Sequence, residues 1–88
     1  MQVKTTPSFL KQASKFLKKN PQLRKDFTKT IKNLTSNPFD PSLKTHKLSG
    51  ELKDFWSCHV THDIRLRFIL EANIIELIDI GSHDEIYD

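Results

Sequence analysis

Between Phe9 and Leu34 the apolar residues of this 88-residue chain recur every three or four positions, whereas from Phe55 to Ile80 they alternate. The first period belongs to a helix buried along one stripe and the second to a strand buried on one face. A chain that changes period once, with no linker at the change long enough to separate domains, has few ways to bury both patterns. The expected class is α+β, with an N-terminal helical hairpin packed on one face of a small antiparallel sheet, as a single domain over residues 1–88.

The helical half has its own punctuation. Met1 to Lys4 is expected as a short edge strand. Thr5 or Thr6 then precedes Pro7, a capping residue followed by the proline that suits a first turn. Phe9, Leu10, Ala13, Phe16 and Leu17 form one stripe, and Lys11, Lys15, Lys18 and Lys19 lie elsewhere on the cylinder. Asn20-Pro21 stops this helix and starts the next, whose stripe is Leu23, Phe27, Ile31 and Leu34. The short break predicts an antiparallel hairpin. A proline-rich loop, Ser36 to Ser42, ends it.

The second half reads as strands. Leu43 to Leu48 is a short extended piece, followed by a turn at Ser49-Gly50. Phe55 to Thr61 alternates, with Trp56, Cys58 and Val60 on one side and Phe55, Ser57 and His59 on the other. Asp63 to Leu70 sends Ile64, Leu66, Phe68 and Leu70 one way and Asp63, Arg65 and Arg67 the other. Glu71-Ala72-Asn73 is the hairpin turn before a strand from Ile74 to Ile80, which Gly81 ends. The frame of that last strand is ambiguous, because Glu76 shares a face with Ile74, Ile78 and Ile80. The period of two then places His59, Asp63, Arg65 and Arg67 on the open face of the sheet.

Charge separates the same two halves. Residues 1–50 hold eleven Lys or Arg against two Asp or Glu, a net +9, and residues 51–88 hold three against nine, a net −6; the whole chain is +3. A basic half attracts polyanions such as nucleic acid or a ribosome surface, and equally serves as a solvated helix face. No run is apolar enough to span a membrane, and MQVKTTPSFLKQ lacks the apolar stretch of a secretory signal. One cysteine, Cys58, allows no internal disulfide and fits a reducing cytoplasm, so a cytoplasmic location is expected.

All four histidines fall between His46 and His83. Taken singly, each is most simply a surface or strand histidine. As a set beside Asp63, Arg65 and Arg67 they supply what RNA cleavage without a metal needs. A base takes the 2′-hydroxyl proton, an acid protonates the leaving 5′-oxygen, and cations stabilise the charge on phosphorus oxygens. A metal site on His59-x-x-His62-Asp63 is disfavoured, since positions 59 and 62 of a strand point to opposite faces. Two glycines leave no phosphate-cradling loop, so no cofactor is expected.

The string His46-x-Leu48-x-Gly50, Trp56-Ser57-x-His59-Val60, Asp63, Gly81-Ser82-His83 and Tyr87 resembles the RelE/ParE superfamily of bacterial toxins, most closely its YafQ-like branch of ribosome-associated mRNA interferases. The helical hairpin fits too, although the specific motifs occupy residues 46–87 alone. The resemblance implies a RelE-like fold and the toxin of a type II toxin-antitoxin system. It also implies ribosome-dependent, metal-independent cleavage of mRNA. The implied partners are a cognate antitoxin protein, the ribosome and mRNA, with operator DNA met only through the antitoxin and no membrane. Carried over by position, His46, His59, Asp63 and His83 match the branch's catalytic or RNA-contacting residues, with His83 as general acid, His46 or Asp63 as base, and His59 orienting or contacting the phosphate. Tyr87 stands where the family places an aromatic near the RNA; Arg65 and Arg67 depart from the family pattern and are expected to take over phosphate contacts to RNA, with Lys44 and Lys47 beside them. Ile64 stands where the branch often has Trp, which leaves the detailed roles open. Two alternatives stay in view: a ParE-like gyrase inhibitor without nuclease activity, and an inactive component that only binds its antitoxin in a repressor complex.

Overall fold

A computed structural model describes residues 1–86 of the chain. The elements run β1 (Gln2–Lys4), α1 (Pro7–Lys19), α2 (Arg24–Ser36), β2 (His46–Lys47), β3 (Trp56–His59), β4 (Ile64–Glu71), β5 (Ile74–Ser82) and a final turn of helix, α3 (His83–Ile86). Short 3-10 turns at Pro21–Leu23, Pro41–Leu43 and Gly50–Leu52 fill the connections.

Thr6 caps α1, its hydroxyl accepting from the Phe9 N–H at 3.0 Å, with Pro7 in the first turn. Asn20 closes the helix twice: its backbone N–H reaches the Phe16 and Leu17 carbonyls, and its side-chain amide donates to Phe16 O at 2.9 Å. Pro21 then begins the 3-10 turn that leads into α2. Phe9, Ala13 and Leu17 are buried as the stripe requires, but Leu10 is 55% exposed. A 13-residue helix packed on a sheet buries a narrower arc than five stripe positions cover, and Leu10 falls outside it. In α2, Leu34 is fully buried and Phe27 and Ile31 pack at its margin.

The sheet has five strands in the order β1-β5-β4-β3-β2. Strands β2 to β5 form the antiparallel meander the alternation predicts. At its far edge β1 pairs in parallel with Ile74–Glu76 of β5, so the whole sheet is mixed. Cys58, Leu66 and Ile80 lie opposite one another and meet Phe9, Ala13 and Leu34 in a single core with Leu43, Phe68, Ile75 and Leu77. Both helices therefore contribute their stripes to one face of the sheet.

The unreadable frame of β5 has a physical cause. Arg67 pairs with Asp79 but Phe68 pairs with Leu77, which leaves Ile78 as the extra residue of a bulge. A bulge moves the buried set by one position, so Ile75 and Leu77 point inward before it and Ile80 after it. Strand β5 also runs through Gly81 to Ser82 rather than ending before the glycine. The Ser49-Gly50 turn is real, with Gly50 at φ +66°, a conformation that favours glycine.

Candidate active site on the open face

Strand register assembles the polar groups. His46 lies opposite Ser57, Ser57 opposite Arg67, and Arg67 opposite Asp79, a row that crosses four strands. The next row holds His59, Arg65 and Gly81. Directly paired residues project to the same side. The intervening positions, Cys58, Leu66 and Ile80, go to the helices, so both rows stand on the open face. Beyond them, the His83 N–H donates to the Asp63 carbonyl at 3.0 Å, which joins the β3–β4 turn to the end of β5. Successive rows lie about 7 Å apart, two residues at the rise of a strand. The His46 row, the His59 row and the Asp63–His83 junction therefore succeed one another along the face, spread over a nucleotide-sized area rather than stacked together.

His46 has a defined hydrogen-bonding role. Its Nδ1 lies 3.0 Å from the carbonyl oxygen of Lys44, and a carbonyl only accepts. Nδ1 therefore carries the proton, and the neutral ring keeps its lone pair on Nε2. Lys44 adopts a left-handed conformation (φ 50°), which lets the chain turn into β2. Its part in the site is that carbonyl; its side chain is exposed. His83 is more than half exposed, with Nδ1 3.6 Å from the Asp84 carboxylate, an ion pair when the ring is protonated. Asp63 is exposed in the turn before β4.

The two arginines are engaged by the protein itself. Arg65 is 7% exposed and its Nη1 donates to the carbonyls of Thr61 (3.2 Å) and His62 (2.6 Å), so it clamps the turn between His59 and Asp63. Arg67 forms a two-pronged pair with Asp79, Nε to Oδ1 at 2.9 Å and Nη2 to Oδ2 at 2.6 Å, and lies over the Phe55 ring at 4.9 Å. Lys47 is on the other side of β2 from His46, its Nζ 5.9 Å from the centre of the Trp56 ring, where Phe39 also packs edge-on. Lys47 is thus not brought to the histidine face. Tyr87 lies outside the described residues. His59 also borders a cleft of about 150 Å³ beside α2, lined by Asp26, Lys29, Thr30 and Ser42.

Asp79, Ser57 and Glu85 belong to the site without standing out in the sequence as site residues. Asp79 was hidden by the bulge that brings it to Arg67. Ser57 is fully buried between His46 and Arg67, which a small polar residue in a strand does not announce. Glu85 had a signal: Ser82-x-x-Glu85 is a capping-box pattern. Among the described residues, no group of three or more His, Cys, Asp or Glu is placed to hold a metal ion. Among the described residues, no helix is long and apolar enough to cross a membrane.

A family model described as the bacterial toxin of type II toxin-antitoxin systems, YafQ, matches residues 1–88. The chain belongs to the YafQ toxin family. It is therefore a toxin of the type II toxin-antitoxin class. Among solved structures it is similar to a metal-bound toxin from Helicobacter pylori, at 35% identity and a TM-score of 0.76 over 98% of each chain. YafQ from E. coli strain BL21(DE3) has the same fold, at 19% identity and a TM-score of 0.81 over 99% of this chain and 98% of that one. So does YafQ within the E. coli DinJ–YafQ toxin-antitoxin complex, at 19% identity and a TM-score of 0.79 over 99% of this chain and 97% of that one. No curated protein matches the sequence. The RelE/ParE resemblance of residues 46–87 and the α+β fold expected from the change of period are both borne out.

Proposed function

We propose that this toxin is an endoribonuclease that cuts mRNA on the ribosome without a metal ion, with His46, His59, Asp63 and His83 as its working groups. The observation that supports it best is the order of groups along the open face. A phosphate centred over the His59–Arg65 row has the His46 row on one side and the Asp63–His83 junction on the other. In-line transfer needs that arrangement, with the base and the acid on opposite sides of phosphorus.

The neutral His46 ring, with Nε2 as acceptor, takes the proton of the 2′-hydroxyl. The 2′-oxygen bonds to phosphorus as the bond to the 5′-oxygen breaks, and His83 as imidazolium gives that oxygen its proton. The products are a 2′,3′-cyclic phosphate and a 5′-hydroxyl. His59 contacts the phosphoryl oxygens as negative charge gathers there. Asp63 acts where its main chain holds His83 and serves as the second candidate base. Arg67, paired with Asp79, shapes the floor and contacts RNA only by releasing that pair.

The biological partner in this reading is a cognate antitoxin, as E. coli YafQ is found with DinJ. Purified toxin added to a translation reaction, with the message mapped by primer extension, tests the activity. Cuts that require ribosomes and vanish in His83→Ala are expected. Intact messages together with a block of gyrase supercoiling would move the protein to the gyrase-inhibitor class.

A further inference from the structure

His83 sits at the first position of a single helical turn at the end of β5, and a turn that short does not persist by its own hydrogen bonds. Three contacts hold it. The Ser82 hydroxyl accepts from the Glu85 N–H at 3.3 Å, and Glu85 Oε1 accepts from the Ser82 N–H at 2.9 Å, a reciprocal capping box around His83. On the side of β4, the His83 N–H is held by Asp63 O. Gly81 makes room for the box: a Cβ there would stand 3.3 Å from Glu85 Oε1 and 3.4 Å from its Cβ.

The strand behind this turn is anchored in the same manner. β1 covers the outer edge of β5 only at Ile74–Glu76. Farther along, the side chain of Gln12 from α1 takes the place of a strand, donating from Nε2 to Ile80 O at 2.6 Å and accepting the Ile80 N–H on Oε1 at 3.0 Å. Two residues on, Glu85 does the same for the Ser82 N–H. Side chains thus close the edge of β5 from Ile80 to Ser82, immediately before His83. The Glu85 carboxyl is held below its ordinary value first by the Ser82 backbone N–H and then by the Ser82 hydroxyl, so it is ionised and accepting at neutral pH.

We propose that Glu85 is a positioning residue for His83, acting with Ser82 and Gly81 as a lock whose strand is anchored by Gln12. The role in catalysis rests on the nuclease reading above; the role in placing the ring does not. Glu85 is exposed and joins the fold here through the Ser82 backbone and hydroxyl it caps, so its loss should act on the turn and not on folding.

The test compares Glu85→Ala and Glu85→Gln in the full chain. Glu85→Ala should slow ribosome-dependent cleavage about tenfold at saturating ribosome–mRNA complex, since small misplacements of a catalytic group have effects of that order or more. The half-saturating concentration and Tm should not move. Glu85→Gln should restore the rate, because its amide oxygen accepts the same N–H. The His83 ring resonances, assigned by their loss in His83→Ala, should shift or broaden in Glu85→Ala and return in Glu85→Gln. Wild-type rate and unshifted His83 signals in Glu85→Ala would overturn the proposal, as would a Gln variant no better than Ala. If the wild-type protein cuts no message, the nuclease reading fails while the His83 resonances still decide the positioning role.

Discussion

In the reaction proposed above, His46 is the base and His83 the acid, and their surroundings differ accordingly. The first donates Nδ1–H to a backbone carbonyl, which leaves Nε2 as the acceptor nitrogen of the neutral ring; the second sits by a carboxylate that pairs with its charged form. Removing either is expected to lower cleavage by roughly 10²- to 10⁴-fold, the usual contribution of acid–base catalysis. Tm should hardly change for His83→Ala, because the ring is mostly outside the core. A fully active His83→Ala enzyme in the primer-extension assay would remove His83 from the acid role. Cys58 is the opposite kind of residue: burial pushes its thiol up to about 12, with Arg65 pulling only weakly the other way. The folded state therefore favours the protonated thiol. That contribution is complete below the unfolded value of 9.0 and is lost as pH rises through the folded one. Alkaline melting curves should show wild type losing more stability than Cys58→Ala between pH 9 and about 12. Parallel curves would mean the thiol ionises without hindrance. At this scale the sequence disclosed the histidines, because strand alternation alone puts His59, Arg65 and Arg67 on one face. It did not disclose what the arginines hold, since a clamp on the Thr61 and His62 carbonyls depends on the path of a turn.

The elements were legible wherever a cap or a stop sits in the chain. Thr6 with Pro7 and Asn20 with Pro21 bound α1 where their chemistry says they should. The β5 frame was not legible, because a bulge leaves no composition signal and Ile78 looks like any other strand isoleucine. Nor was Leu10: helical spacing marks it as a stripe residue, and only the width of the sheet beneath decides that it faces water. The lysines of α1 are all exposed, Lys11, Lys15, Lys18 and Lys19 alike. If they meet RNA, affinity for ribosomes should fall steeply with salt through counterion release, and each phosphate contact removed should flatten the log–log slope by about 0.7 to 0.9. Lys15→Gln, Lys18→Gln and Lys19→Gln combined, followed by ribosome sedimentation over a salt series, measures this. Exposed lysines contribute little to folding, so Tm should stay within about 2 °C of wild type. An unchanged slope would make them a solvated face and no more.

On the scale of the whole molecule, the helix lysines and the histidine rows belong to different parts of the fold. Lys11, Lys15, Lys18, Lys19, Lys25, Lys29 and Lys32 ride on the two helices, while the histidine rows project from the other face of the sheet, with His59 bordering a cleft beside α2. An antitoxin can therefore bind the helices, the open face, or both, and the two surfaces should leave different kinetic marks. Charges at the rim of an interface mainly change how fast partners meet, whereas packed and paired groups change how slowly they part. Acidic residues of the antitoxin steered by the α1 lysines would make association fall with salt and with the triple Lys→Gln substitution, by about tenfold or less, at nearly constant dissociation rate. Occlusion of the open face would instead appear in dissociation. Arg67 is the better probe there than Arg65, since Arg65 also clamps the β3–β4 turn and its removal would loosen the site as well. In the free toxin Arg67 is already held by Asp79, so an antitoxin carboxylate must displace Asp79 to reach it. Asp79→Asn weakens that competitor and should slow antitoxin release if the carboxylate binds at Arg67, while Arg67→Ala should hasten it. Surface-resonance kinetics with both variants decides the matter: opposite shifts in dissociation rate establish direct occlusion, and no shift in either leaves the antitoxin acting from the helices, by keeping the toxin off the ribosome.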